Sequence, residues 1–127
     1  MSIKILYIED NANNMRLVRK MLHMHGHSII EADDGFAGIN LALREEPDLI
    51  LIDIQLASID GFEVVSRLRT NPLLQHVPIV ATTAYAASRD YAYFIASGFD
   101  DFLPKPVSRE QLMKTITQLC KPAINNS

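Results

Sequence analysis

Two short apolar runs that each end in acid constrain this chain more than any other feature. Leu49-Ile50-Leu51-Ile52 leads into Asp53, and Ile5-Leu6-Tyr7-Ile8 leads into the pair Glu9-Asp10. Unbroken apolar runs of roughly four to eight residues suit strands buried on both faces of a parallel sheet, and the carboxyl ends of such strands open on one edge where ligands bind. The two runs therefore bring three carboxylates to one edge. Crowded carboxylates repel one another unless a proton or cation relieves them, and a hard divalent ion with oxygen ligands is the natural relief. That acidic cluster is the expected functional site.

Around these runs the hydrophobic period alternates between short β-like stretches and longer helical ones, the pattern of β and α units on a parallel sheet. Strand-like runs fall near Ile3 to Ile8, Ser28 to Ala32, Leu49 to Asp53, Pro78 to Thr82 and Asp101 to Leu103, with helical patterns between them. Gly26 suits a helix C-terminus, Asp34-Gly35 and Asp60-Gly61 are loop dipeptides ahead of helices, and Asn71-Pro72 and Gly98 mark further stops. The 127 residues make one domain, expected over 1–121. A short tail is expected over 122–127, because Pro122 breaks the last helix and Asn125-Asn126-Ser127 has nothing to bury.

Composition narrows the function classes. The formal charge is only -3 and the basic residues are scattered, so neither nucleic acid nor an anionic membrane is an expected partner. Cys120 is the single cysteine, which rules out an internal disulfide or a thiolate metal site and points to a reducing, cytoplasmic setting. The chain begins without a signal-peptide layout, and no apolar stretch approaches the roughly 20 residues that span a bilayer. A soluble protein is expected, and the native-looking start favours a complete one.

The first βα turn indicates which ligand the sheet edge prefers. Nucleotide binders place glycines there to cradle phosphate, whereas this turn is Glu9-Asp10-Asn11-Ala12-Asn13-Asn14, acidic and free of glycine. It repels pyrophosphate and attracts a cation. Acid and amide side chains at that point also serve as helix N-caps, so the turn by itself leaves both uses open. Thr82-Thr83 after the fourth run and Lys105 after the fifth add a hydroxyl and an ammonium to the same edge.

With Glu9-Asp10, Asp53, the stretch from Asp53 to Asp60-Gly61, the pair Thr83-Ala84 and the dipeptide Lys105-Pro106 in this order and spacing, the chain resembles the receiver domain of two-component response regulators over almost its whole length. The Glu-Asp pair and the run Thr83-Ala84-Tyr85-Ala86 are similar to single-domain, stand-alone receivers. The resemblance implies a flavodoxin-like α/β fold: a doubly wound, five-stranded parallel sheet of order 2-1-3-4-5 with helices on both faces. It implies that Asp53 accepts a phosphoryl group from a histidine kinase or a histidine phosphotransfer protein. Mg2+, with Mn2+ as a substitute, would be held by Asp10, Asp53, the Gln55 carbonyl and, through water, Glu9. Lys105 and Thr83 would each hold an oxygen of the transferred group, while Thr82 faces the other way. A cis Lys105–Pro106 bond also belongs to the resemblance. So does a switch in which Thr83 and Phe102 move together and change the face of the fourth helix, fifth strand and fifth helix towards a downstream effector. Such a protein is a phosphoacceptor, monomeric or weakly dimeric, that catalyses its own phosphorylation and slow dephosphorylation rather than a turnover enzyme.

Two departures matter. Ala57 replaces a usual proline in the loop after Asp53, which loosens the restraint on that loop. Tyr85 stands where, in the family it resembles, a side chain overhangs the acceptor carboxylate, and with Gln55 it is expected to shield the phosphoryl group from water. The alternative function is a phosphorylation-independent receiver-like binding module, although degenerate receivers usually lack the acids kept here. A haloacid-dehalogenase-like phosphatase is disfavoured because Gln55 stands where its second Asp belongs and no cap domain fits.

Remaining features have modest readings. Tyr91, Phe94 and Ile95 share one helical face and Tyr93 lies away from it, which makes Tyr93 a partner-contact candidate along with Tyr85 and Met15. In the first helix Met15, Leu17, Val18, Met21, Leu22 and Met24 cover about half the circumference, wider than an ordinary core stripe of about 100°. Packing against a neighbouring helix is the expected use of that width, and docking of the phosphodonor the other. His23, His25 and His27 alternate, but residues two apart on a helix face away from each other, so no metal site is expected there. Cys120 is expected to be half-buried filler.

Overall fold

The computed structural model describes residues 2–84 and 90–120. Its elements alternate as expected: β1 (Lys4–Ile8), α1 (Ala12–Met24), β2 (Ser28–Ala32), α2 (Gly35–Glu45), β3 (Leu49–Asp53), α3 (Gly61–Arg69), a 3-10 turn (Pro72–Leu74), β4 (Ile79–Thr83), α4 (Tyr91–Ala96), β5 (Asp101–Pro104) and α5 (Arg109–Leu119). All strands pair in parallel in the order β2-β1-β3-β4-β5, the doubly wound arrangement. The crossover between β1 and β3 is where such sheets open a crevice.

Each face of the sheet has its own core. Leu6, Ile8, Ile50, Ile52, Ile79 and Ala81 pack under α2, α3 and α4, while Ile5, Tyr7, Leu49, Leu51, Val80 and Leu103 pack under α1 and α5. The central strands β1 and β3 are buried on both faces, which is why their sequences are unbroken apolar runs. Each fully buried aliphatic side chain contributes about 1.5–3 kcal/mol. Asn11, Asp34, Asp60 and Ser108 cap the helices that follow them, each side chain accepting a backbone N–H of the first turn.

The fourth strand runs one residue later than the sequence pattern suggested, from Ile79 to Thr83. Pro78 cannot donate to a ladder, so the strand starts after it and Thr83 becomes a ladder residue opposite Pro104. The fifth strand extends to Pro104, which an edge strand tolerates.

The first helix corrects two expectations. Its apolar width is not consumed by a neighbouring helix: Met15, Val18 and Leu22 are buried, whereas Leu17 is 38% and Met24 61% exposed. The core takes the arc around Met15, Val18 and Leu22, and Leu17 and Met24 lie about 130° and 150° from its centre, beyond the reach of the sheet. Met15 itself is only 6% exposed and belongs to the core under α1 and α5, so it is not a surface contact. Among the histidines, His27 is buried and its Nδ1 accepts the Ile3 N–H at 3.2 Å, a structural role. Cys120 is half-buried, and burial with the nearby Asp48 pushes its thiol up to about 11, which keeps it protonated and unreactive.

At the amino ends of β4 and β5 a side chain unremarked in the sequence ties three segments together. Arg69 Nε donates to the Gly98 carbonyl at 2.9 Å, Nη1 to Leu74 and Val77 carbonyls at 3.0 and 2.8 Å, and Nη2 to Asp100 at 2.8 Å. Asp100 Oδ2 also accepts the Ile79 N–H at 2.8 Å.

Candidate functional site

Strand register builds the site. Ile8 pairs with Ile52 and Asp53 pairs with Thr82, so Glu9, Asp10 and Asp53 emerge side by side at the carboxyl edge. One carboxylate oxygen from each of the three lies within 4.8 Å of the other two. No other cluster of His, Cys, Asp or Glu with this closeness exists among the described residues. Glu9 and Asp53 are each only 2% exposed, while Asp10 stands at the open mouth.

Lys105 reaches the same point from the loop after β5. Its Nζ lies 2.9 Å from Asp53 Oδ1 and 3.1 Å from Glu9 Oε1. The Lys105 N–H donates to the Thr83 carbonyl at 2.8 Å, which ties this loop to the end of β4, and the Lys105–Pro106 bond is cis as the resemblance implied. Backbone N–H groups hold each of the three acids as well. Asp53 Oδ1 accepts the Gln55 N–H at 3.1 Å, Glu9 Oε2 accepts the Asn11 N–H at 3.1 Å and Asp10 Oδ2 accepts the Ala57 N–H at 3.0 Å.

The Tyr7 hydroxyl donates to Glu9 Oε1 at 2.9 Å from inside β1.

Three carboxylates against one ammonium leave two negative charges in excess, the charge of one divalent cation. Burial pushes Glu9 above the usual carboxylate range, and the neighbouring Asp53 adds to this, against the opposing pull of the Asn11 N–H and Lys105. Burial would lower the Lys105 ammonium, but its bonds to Asp53 and Glu9 outweigh that and hold it above its ordinary value. Burial and the Glu9 charge hold the Tyr7 phenol far above its ordinary range, so it stays a donor. An all-oxygen donor set with this charge deficit fits a hard divalent ion that keeps several waters. A groove of about 550 Å³ opens beside the acids between α1 and α2, lined by Asp10, Arg16, Glu31 and Asp33 among others.

The remaining expected residues are distributed as follows. Thr83 ends β4 and is 4% exposed; Thr82 is fully buried with no hydrogen-bond partner for its hydroxyl, and alternation sends the two side chains to opposite faces. Gln55 is exposed in the loop after Asp53. That loop returns to the sheet at Gly61, where a Cβ would lie 2.7 Å from the Asp53 carbonyl, so only glycine fits. Phe102 is half-buried and stacks on Phe94 with ring centroids 5.0 Å apart, with Tyr91 at 6.1 Å. Tyr93 is 61% exposed, its ring 5.1 Å from Phe62. Tyr85 lies outside the described residues.

Sequence reasoning missed two groups, the Tyr7 phenol and the Ala57 N–H. Tyr7 left a signal, a hydroxyl inside an otherwise aliphatic buried run and two residues, hence one strand face, from Glu9. The Ala57 bond left none, because a backbone donor carries no residue type.

This geometry agrees with comparison to known proteins. A family model for the response regulator receiver domain matches residues 5–117. The chain belongs to that family. It is 34% identical over 116 residues to the polar-differentiation response regulator DivK of Brucella ovis, covering 91% of this chain and 94% of that one. Among solved structures it is similar to the receiver domain of a sensor histidine kinase from Pseudomonas aeruginosa, whose active-site cleft coordinates magnesium, at 30% identity and TM-score 0.87, covering 96% of this chain and all of that one. It is also similar to a Saccharomyces cerevisiae response regulator receiver domain solved with a histidine phosphotransfer protein, at 29% identity and TM-score 0.85, covering 94% and 89%. This receiver is therefore a phosphorylation-dependent signalling switch of two-component systems. No helix among the described residues is long and apolar enough to cross a membrane.

Proposed function

We propose that Asp53 is the phosphoacceptor of this receiver, and that a histidine kinase or a histidine phosphotransfer protein is the donor. The observation that carries the reading is the Lys105 ammonium shared between Asp53 and Glu9, with Asp10 completing a three-carboxylate cluster. An Asp53 carboxylate oxygen attacks phosphorus; the new O–P bond forms as the N–P bond breaks, and the imidazole leaves with that electron pair. Asp10, Asp53, the Gln55 carbonyl and, through water, Glu9 would hold Mg2+ or its substitute Mn2+. The ion would supply positive charge to the phosphoryl oxygens. Lys105 neutralises and holds one other oxygen of the transferred group, and the Thr83 hydroxyl donates to another.

The relay follows from the same contacts. Once Asp53 carries a dianionic group, Thr83 and Lys105 are drawn to it, and Phe102 on the adjoining strand repacks against α4. The α4, β5 and α5 face with Tyr93 then meets a downstream effector protein, while Leu17 and Met24 on α1 serve donor docking. We place the receiver domain at residues 1–121, with 122–127 as a tail, in a cytoplasmic protein that is monomeric or weakly dimeric and binds neither nucleic acid nor membrane. Gln55 and Tyr85 screen the phosphoryl group, so dephosphorylation is slow.

The test is incubation with acetyl phosphate and Mg2+ followed by mass spectrometry. The expected result is one phosphoryl adduct on Asp53 and none in Asp53→Asn; an adduct elsewhere, or none in the parent, would refute the assignment. For the relay, Phe102→Ala is expected to abolish phosphorylation-dependent gain in effector affinity, and an unchanged gain would remove Phe102 from the switch.

A further inference from the structure

We propose that Tyr7 is a positioning residue of the cation site, acting through Glu9; the proposal rests on the reading of Glu9, Asp10 and Asp53 as the acids that gather around the ion. Among the described residues Tyr7 is the bulkiest side chain wholly withdrawn from solvent, and it lies on an inner strand of the sheet in the core of Ile5, Leu51, Val80 and Leu112 beneath α1 and α5. A phenol O–H in such apolar surroundings is costly unless it is bonded, and an aliphatic side chain would fill a strand position without that cost. Its partner is Glu9 Oε1 at 2.9 Å.

Glu9 is gripped by three donors, and they differ in how firmly they are themselves held. Asn11 lies in the turn after β1 and Lys105 in the loop after β5, whereas Tyr7 lies within a strand paired on both sides, to β2 and to β3. A long glutamate side chain has more rotamers to lose than an aspartate, and a donor fixed in the sheet removes that freedom before the ion arrives. Groups that orient a metal ligand commonly carry roughly 10- to 100-fold of metal affinity, and since Glu9 meets the ion through water the effect of Tyr7 belongs at the low end of that range. Tyr7 thus makes Glu9 a preset position in the site rather than a mobile one.

The experiment is calorimetric titration of Mg2+ into the parent, Tyr7→Phe, Glu9→Asp and the double variant at one pH and ionic strength, with thermal melts of the metal-free proteins alongside. Tyr7→Phe keeps the ring and its packing, and is expected to weaken Mg2+ binding by about tenfold. In the Glu9→Asp background, where the carboxylate is drawn back from the phenol, the same substitution is expected to cost nothing further. In the parent, Mg2+ is expected to shift the near-ultraviolet tyrosine absorption by a component that Tyr7→Phe lacks, a signature packing alone does not produce. Equal affinities of parent and Tyr7→Phe, or a loss that persists undiminished in the Glu9→Asp background, overturn the role of Tyr7 and leave the cation site standing. A parent that binds no Mg2+ overturns the site reading, and the role of Tyr7 falls with it.

Discussion

The two edges of the sheet both enclose a cation, and they use it in opposite ways. At the amino edge the Arg69 guanidinium meets the backbone carbonyls of Gly98, Leu74, Gln75 and Val77 and the Asp100 carboxylate, so one charge answers one charge. At the carboxyl edge one Lys105 ammonium stands before three carboxylates. The first edge is completed by the chain itself and only holds β4 and β5 in register. The second is left two charges short, and a group left short of charge is one that gains from a ligand. Within a single sheet, the balance of fixed charge separates scaffold from site.

Removing each cation in turn is the sharpest way to break this comparison. Lys105→Met is expected to slow phosphoryl uptake from acetyl phosphate by roughly 10²-fold or more, since it deletes a donor aimed at developing negative charge. Arg69→Met is expected to leave the uptake rate close to parental and instead lower stability to urea by about 2–3 kcal/mol, because hydrogen bonds to a charged group are lost and their acceptors left short. If Arg69→Met slowed uptake as much as Lys105→Met does, the two edges would not be separable.

A smaller effect is expected at the mouth. Ala57→Pro deletes the N–H that Asp10 accepts and is expected to weaken Mg2+ binding severalfold, whereas Ala57→Gly keeps the donor and stays near the parent. Equal losses in both variants would assign the effect to loop stiffness rather than to the hydrogen bond. The smallest effect concerns His27, beneath the amino end of β1. Burial lowers its pKa from the usual 6.5, so the unfolded chain takes up a proton more readily than the folded one. Its contribution is present above pH 6.5 and is lost as pH falls through the folded value. Melting temperatures measured from pH 7 downward should therefore fall less steeply in His27→Gln than in the parent.

Much of the fold was legible because its signals are local. The apolar runs of β1 and β3, the caps Asp34 and Asp60 and the stops at Gly26 and Gly98 each act over a few residues, and all stand where the pattern placed them. The acids of the site were legible for the same reason, since strand ends on one sheet edge follow from the alternation of β and α. Less visible was how a helix divides its apolar surface. Met15 and Met24 carry the same side chain, yet one is core and the other open to solvent, because only the angle at which α1 lies on the sheet decides between them. Arg69 was equally silent, its partners other than Asp100 being carbonyl groups that any residue would supply.

By itself the chain determined that β and α units alternate and that Glu9, Asp10 and Asp53 gather at one edge, because hydrophobic period and strand direction are properties of neighbouring residues. Tertiary structure alone decided how those acids are held: Ala57 bonds Asp10 across 47 positions, and Lys105 spans Glu9 and Asp53 from the far end of the sheet. Those bonds depend on strand order and loop path, which no short window contains.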